Sequence, residues 1–227
     1  MKISRNDWNK YISKLRKINN TAAEKIEDYI NKHGLSDTKE LIDYSYAIVR
    51  KYGEASATLS ARMYDIIAQM SGKRVPEAEL ADIADYGEVA KTVNGTLKTS
   101  SNAKEIAFAV ARWVKMASND TTLKNGKRDK AEYAWIPNGA ETCPYCISIA
   151  SEGWEPFTDD PFDKGHADHI HSNCDCQYMV RFNENTDVVG YDPDKYKKMK
   201  ADAEGSTLKD KISSMRREMY EEENDTE

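Results

Sequence analysis

All four cysteines of the chain fall between positions 143 and 176: Cys143 and Cys146 in Thr-Cys-Pro-Tyr-Cys, then Cys174 and Cys176 in His-Ser-Asn-Cys-Asp-Cys. Two thiol pairs with a histidine, His171, just ahead of the second pair are the donors that a tetrahedral zinc site requires. Such an ion ties two stretches of chain to one point, a stronger constraint on folding than any local preference. In the first pair, two sulfurs separated by two residues converge on one ion as a knuckle. Five groups then compete for four positions: Cys143, Cys146, His171, Cys174 and Cys176. The second half supplies either both cysteines or His171 with one of them. The reading leans towards four sulfurs, with His171 close behind. Four protein ligands leave no position for water, so the expected Zn2+ is structural.

The rest of the sequence sets the compartment. Residues Met1 to Lys17 are polar, with no apolar core followed by a small-residue cleavage site, so no export signal is expected. No run of about 18 apolar residues exists, and a membrane-spanning helix is not expected. Thiols in a reducing compartment favour metal ligation over disulfides. Charged residues make up 32% of the chain with both signs interspersed, which suits a solvated helical surface better than disorder. The formal net charge of -6 argues against a broad nonspecific grip on duplex DNA, though not against a local basic patch.

Periodicity makes the N-terminal half helical. Trp8, Tyr11, Ile12, Leu15, Ile18, Ala22, Ile26, Tyr29 and Ile30 step by three and four through Asp7 to Lys32. Gly34 stops that helix, and Ser36-Asp-Thr-Lys caps a second one running to Met70. Small residues crowd the middle of the second helix (Gly53, Ala55, Ser56, Ala57, Ser60, Ala61) and predict close helix packing. Ser71 to Pro76 is a breaker. Two more helices are expected over Glu77 to Thr92 and Ala103 to Ala117, joined by a polar linker at Asn94 to Asn102. Asn119-Asp-Thr-Thr and Asn125-Gly read as turns, with Lys124-Asn-Gly-Lys-Arg exposed. A short strand at Glu132 to Pro137, a helix from Pro144, a strand at Gln177 to Phe182, a helix capped by Asp192 with Pro193 first, and a last helix from Leu208 to Tyr220 follow. Glu221 to Glu227 reads as a charged, frayed tail. The expected architecture is mainly α: an N-terminal helical bundle over residues 1–119, a small α+β zinc-binding module over 120–190, and C-terminal helices and tail over 191–227.

Three of the four histidines lie in Gly165-His-Ala-Asp-His-Ile-His. Asp168-His169 resembles the Asp-His pair of HNH-type nucleases, in which histidine activates water and a divalent metal holds the phosphate. His166, Asp168 and His169 are therefore the candidates for a nuclease reading. The blander reading, that these histidines cap and hydrogen-bond the zinc loop, is preferred, because the further Asn and His of such a site are not evident. Trp113, Trp135 and Trp154 read as packing residues rather than a base-stacking platform.

Several ordered segments carry a wider resemblance: Tyr52-Gly-Glu-Ala-Ser-Ala, Arg128-Asp-Lys-Ala-Glu-Tyr-Ala-Trp-Ile-Pro, the two cysteine segments, Val189-Gly-Tyr-Asp-Pro-Asp-Lys-Tyr and Lys211-Ile-Ser-Ser-Met-Arg-Arg. Through them the chain resembles the minor capsid, or minor head, proteins of tailed bacteriophages and prophages of Gram-positive bacteria. The resemblance implies a virion component made in the cytoplasm of the host bacterium. It also implies low copy number near the portal or inside the shell, and a part in head assembly, DNA packaging or ejection. The partners it implies are other head proteins, the portal or major capsid protein, and packaged DNA, with no membrane and no enzymatic activity. It carries the ligand set Cys143, Cys146, His171, Cys174 and Cys176 with the same five-for-four ambiguity.

Overall fold

The computed structural model describes residues 2–138, 142–157, 174 and 176–224, with side chains as far as residue 218. Helix α1, Arg5–His33, buries the stripe Trp8, Tyr11, Ile12, Leu15, Ala22, Ile26 and Ile30. Ser4 starts it by accepting the Asp7 N–H at 3.1 Å. Gly34 ends it at φ +77, where the absence of a side chain removes the steric cost. Helix α2, Thr38–Met70, begins at Asp37, whose carboxylate accepts the Glu40 N–H at 2.9 Å. Its small residues let other elements come close: Tyr11 and Ser60 hydroxyls meet at 2.6 Å, and a Cβ on Gly53 would lie 2.9 Å from Ile83 Cγ2.

The next two helices depart from the periodicity. Helix α3 spans Tyr86–Leu97, capped by a reciprocal Asp85–Glu88 box, and helix α4 spans Ala103–Arg128. The expected helical start at Glu77 is wrong, because side chains of α4 hold that stretch extended. Asn125 receives the Glu79 N–H at 2.9 Å and donates to the Glu79 carbonyl at 2.7 Å. Thr121 accepts the Ala81 N–H at 3.1 Å, and Arg128 donates to the Pro76 and Glu77 carbonyls at 2.9 and 3.2 Å. Residues 71–85 thus form a strap, anchored over residues 76–81 by side chains that bond its backbone in place of a helical ladder.

The same contacts explain why α4 runs eleven residues past its expected end at Ala117, through both expected turns. Asn119 accepts the Tyr178 N–H at 3.1 Å, and Asn125, fully buried, is occupied with the strap. Gly126 is not a turn glycine: a Cβ there would meet Phe157 at 2.7 Å and Val180 at 2.8 Å. Lys124-Asn-Gly-Lys-Arg is accordingly the last turn of a packed helix. The expected domain boundary between residues 119 and 120 falls inside α4. The expected linker at Asn94 is still helical, as far as Leu97.

A three-stranded antiparallel sheet lies against the end of α4. Strand β2, Glu132–Ile136, sits between β3, Glu155–Pro156, and β4, Gln177–Arg181, with Ala134 opposite Met179. Helix α5, Pro144–Ala150, falls between β2 and β3 in sequence. Strand β1, Lys2–Ile3, pairs in parallel with β5, Asp187–Val188, and so ties the segment before α1 to the segment after β4. Helices α6, Pro193–Asp202, and α7, Leu208–Asn224, follow. The last of these extends through residues expected to fray.

Mainly helical, with a small strand-containing module, the chain has the expected fold class. Its two main hydrophobic clusters do not follow the expected division. One joins Ala22, Ile26, Leu41, Val49, Val89, Ile106 and Val110 within the helices. The other joins Trp8, Tyr11, Tyr64, Ile67 and Leu123 from the helices to Trp135, Tyr178, Val180 and the cysteines. No helix among the described residues is long and apolar enough to cross a membrane.

Candidate metal centre

Cys143 is the N-cap of α5, and Pro144 occupies the first helical position, where its missing N–H costs nothing. The Cys143 sulfur accepts the Cys146 N–H at 3.4 Å. One turn of helix therefore presents two sulfurs to the same side. Cys174 and Cys176 stand at the start of β4, which carries them to the α5 sulfurs by pairing with β2.

Cys146, Cys174 and Cys176 are 1%, 7% and 3% exposed, and their sulfurs lie within 4.8 Å of one another. Cys146 and Cys174 are closest, at 3.4 Å. None is in a disulfide. Zinc–sulfur bonds of about 2.3 Å in a tetrahedron separate sulfurs by about 3.8 Å. The cluster is already near that spacing.

The electrostatics also suit a cation. Hydrogen bonds from the Cys146 thiol to Cys143, Cys174 and Cys176, reinforced by burial, hold its proton far above the usual thiol range. At Cys176, the hydrogen bond from Cys146 favours the thiolate, but Cys174 and burial outweigh it and push the group up to about 12. Gathered sulfurs cannot all ionise in a dry site without a positive charge among them, and a divalent metal supplies that charge. Cys146, Cys174 and Cys176 form the cluster and Cys143 bonds Cys146 at its edge, so the residues fit a metal ion.

Support for the centre comes from far along the chain. The Asn138 backbone N–H hydrogen-bonds the Cys176 sulfur. Arg5, at the start of α1, donates to the adjoining Pro137 carbonyl at 3.2 Å. Sequence reasoning missed Arg5 and Asn138, and no local signal marks them, because their role depends on α1 reaching the β2–α5 connection. Of the expected ligands, the structure gathers Cys146, Cys174 and Cys176 within 4.8 Å of one another, while Cys143 stands beside Cys146 at the helix cap but outside that group. His171 lies outside the described residues, as do His166, Asp168 and His169 of the nuclease reading. Trp135 is buried in the core, whereas Trp154 stands half-buried with the Arg181 guanidinium 4.7 Å from its ring centre.

Fold and site together define a predominantly helical protein with a buried thiol cluster able to hold a metal ion. A family profile described as VG15 protein matches residues 2–203, nearly the whole chain, and the chain belongs to that family of phage proteins. No curated protein and no solved structure matches it.

Proposed function

We propose that this phage protein is a structural minor capsid protein, acting in head assembly or in DNA packaging or ejection near the portal or inside the shell. Zinc held by Cys143, Cys146, Cys174 and Cys176, with His171 the competing fourth ligand, pins the strand module to the helices. The observation that carries the reading is the burial of the thiol cluster in the same hydrophobic core as Trp8 and Tyr64. A metal placed there braces a surface for docking and has no open face for turnover. Membership of a phage family over residues 2–203 supports the virion setting, and the resemblance of the segments around Trp135 and Tyr191 to minor head proteins supports the role. The portal and major capsid proteins are the partners this role requires.

Deleting the gene from the phage tests the proposal. The expected result is defective or empty heads by electron microscopy, with the protein found at low copy in purified wild-type particles by mass spectrometry. Normal infectious particles without it, or DNA cleavage by the purified protein with magnesium or manganese, would replace this reading.

A further inference from the structure

The charges of the chain are unevenly spread. Residues 2–20 hold six lysines and arginines against one acidic residue, Asp7, in a chain whose totals are 33 and 39. Helix α1 turns this local excess into a surface. Asn6, Lys10, Ser13, Lys14, Lys17 and Asn20 recur at helical spacing on the side opposite the buried Trp8, Ile12 and Leu15, and all six are exposed. At 1.5 Å per residue the row is about 21 Å long. Glu24 and Asp28, on the same side one and two turns further on, end it.

The lysines of this row are available to a ligand. Lys14 and Lys17 have no ion pair among the described residues. Lys10 meets Asp7 at 3.4 Å, but the two side chains are 64% and 65% exposed. Such a pair gains little in water and gives way to a stronger anion. The groove along the flank, lined by Arg5, Asn9, Ser13 and Asn138, has no carboxylate among the described residues.

Composition decides what kind of partner fits. Among the described residues, none of those exposed between Lys2 and Asn20 is apolar. Protein interfaces are anchored by buried aromatic and aliphatic groups and are depleted in lysine, so this face is a poor match for a protein. Lysine, serine and asparagine are instead the side chains that contact the phosphates and sugars of DNA. One strand of a duplex carries a phosphate about every 3.4 Å along the axis, so a row of this length meets several.

We propose that the exposed face of α1 from Asn6 to Asn20 binds the phosphate backbone of duplex DNA. Lys10, Lys14 and Lys17 are the counter-charges, and Asn6, Ser13 and Asn20 supply hydrogen bonds. The contact reads no base edges and is independent of sequence. The acidic remainder of the chain repels DNA and confines it to this row. The choice of DNA as the nucleic acid rests on the capsid reading.

Fluorescence anisotropy tests the surface, with a labelled duplex of about 20 base pairs and the full metal-loaded chain at about 50 and 200 mM salt. The expected result is saturable binding that weakens with salt and does not change with base sequence. Replacing all three lysines (Lys10→Gln, Lys14→Gln and Lys17→Gln) should weaken binding by at least about tenfold at the lower salt. It should also flatten the logarithmic salt dependence by about three units. Helical circular dichroism should stay unchanged, because lysine and glutamine have similar helix propensities. Lys195→Gln, Lys197→Gln and Lys198→Gln on α6 remove the same charge elsewhere and should leave binding as in the wild type. Polyglutamate, standing for an acidic protein, should compete at least about tenfold less well than unlabelled duplex, whose charges are denser. The proposal is overturned if no duplex binds saturably, if the α1 variant binds like the wild type, if the α6 variant loses as much, or if polyglutamate competes equally. The gene deletion described above tests the capsid role alone, whereas these binding curves test the surface alone.

Discussion

The sulfurs of Cys146 and Cys174 lie 3.4 Å apart, one on α5 and the other at the foot of β4. That contact closes the loop between the two cysteine pairs and sets what metal should do to stability. One zinc per chain is expected in protein purified under reducing conditions, measured by atomic absorption. Cys146→Ser should weaken binding by more than the 10–100-fold typical of losing an outer partner. Cobalt substitution should show thiolate charge-transfer bands of a four-sulfur site, reduced in Cys143→Ser. Because Trp8 and Tyr64 share the core with these cysteines, chelator should lower the melting temperature of the helices too, in one transition. A helical signal indifferent to chelator would refute the coupling.

Asp120 on α4 offers a pH test. Burial, with help from the Glu88 charge, raises its carboxyl to about 7, and its Oδ1 has no hydrogen-bond partner. A carboxyl with a raised folded-state value binds its proton more tightly when folded. Stability from this group is therefore full below about pH 4 and is lost as pH rises towards 7. Asp120→Asn should be more stable than wild type at pH 8, by on the order of 2–4 kcal/mol, with the difference vanishing near pH 4. Denaturant melts across that range would expose a difference that does not change with pH, which would contradict the assignment.

Two glycines on neighbouring helices should respond in opposite directions. Gly126→Ala drives a methyl into Phe157 and Val180 and should cost about 1–3 kcal/mol by overpacking. Gly95→Ala, in α3 with open space around it, should stabilise by up to about 1 kcal/mol through helix propensity. Urea midpoints of the two variants decide it, and equal signs would mean that the β4–α4 approach is looser than described.

Asn125 holds the strap by both polar groups of Glu79. Asn125→Ala leaves that part-buried N–H and carbonyl to solvent, at about 0.5–1.5 kcal/mol per lost hydrogen bond. Limited proteolysis should then cut within residues 71–85 faster than in wild type. Unchanged cleavage would show that Arg128 and Thr121 suffice.

The amphipathic helices were legible wherever one face met the core. Trp8 to Ile30 and Leu41 to Ile67 repeat at the helical period because each helix is buried on one side. Helix α4 was not legible beyond Ala117, since the strap, the other helices and β4 enclose it. Its buried Asn119, Thr121 and Asn125 look like turn residues until their partners are known. The metal centre divides in the same way. Spacing named five competing donors, of which Cys146, Cys174 and Cys176 are gathered in the fold, whereas Arg5 and Asn138 are invisible without it.

Local chemistry was enough to decide the helix starts at Asp37 and Asp192, the stop at Gly34, and the choice of thiols as candidate metal donors, while the first helix starts at Ser4, three residues ahead of its periodic stripe. These depend on hydrogen bonds and donor atoms within a few residues of one another. Tertiary structure alone decided that residues 77–85 are a strap, that Gly126 is a contact point, and that the cysteine module shares a core with α1 and α2. Each of those outcomes rests on groups far apart in sequence satisfying or excluding one another, and only a folded chain brings such groups within reach.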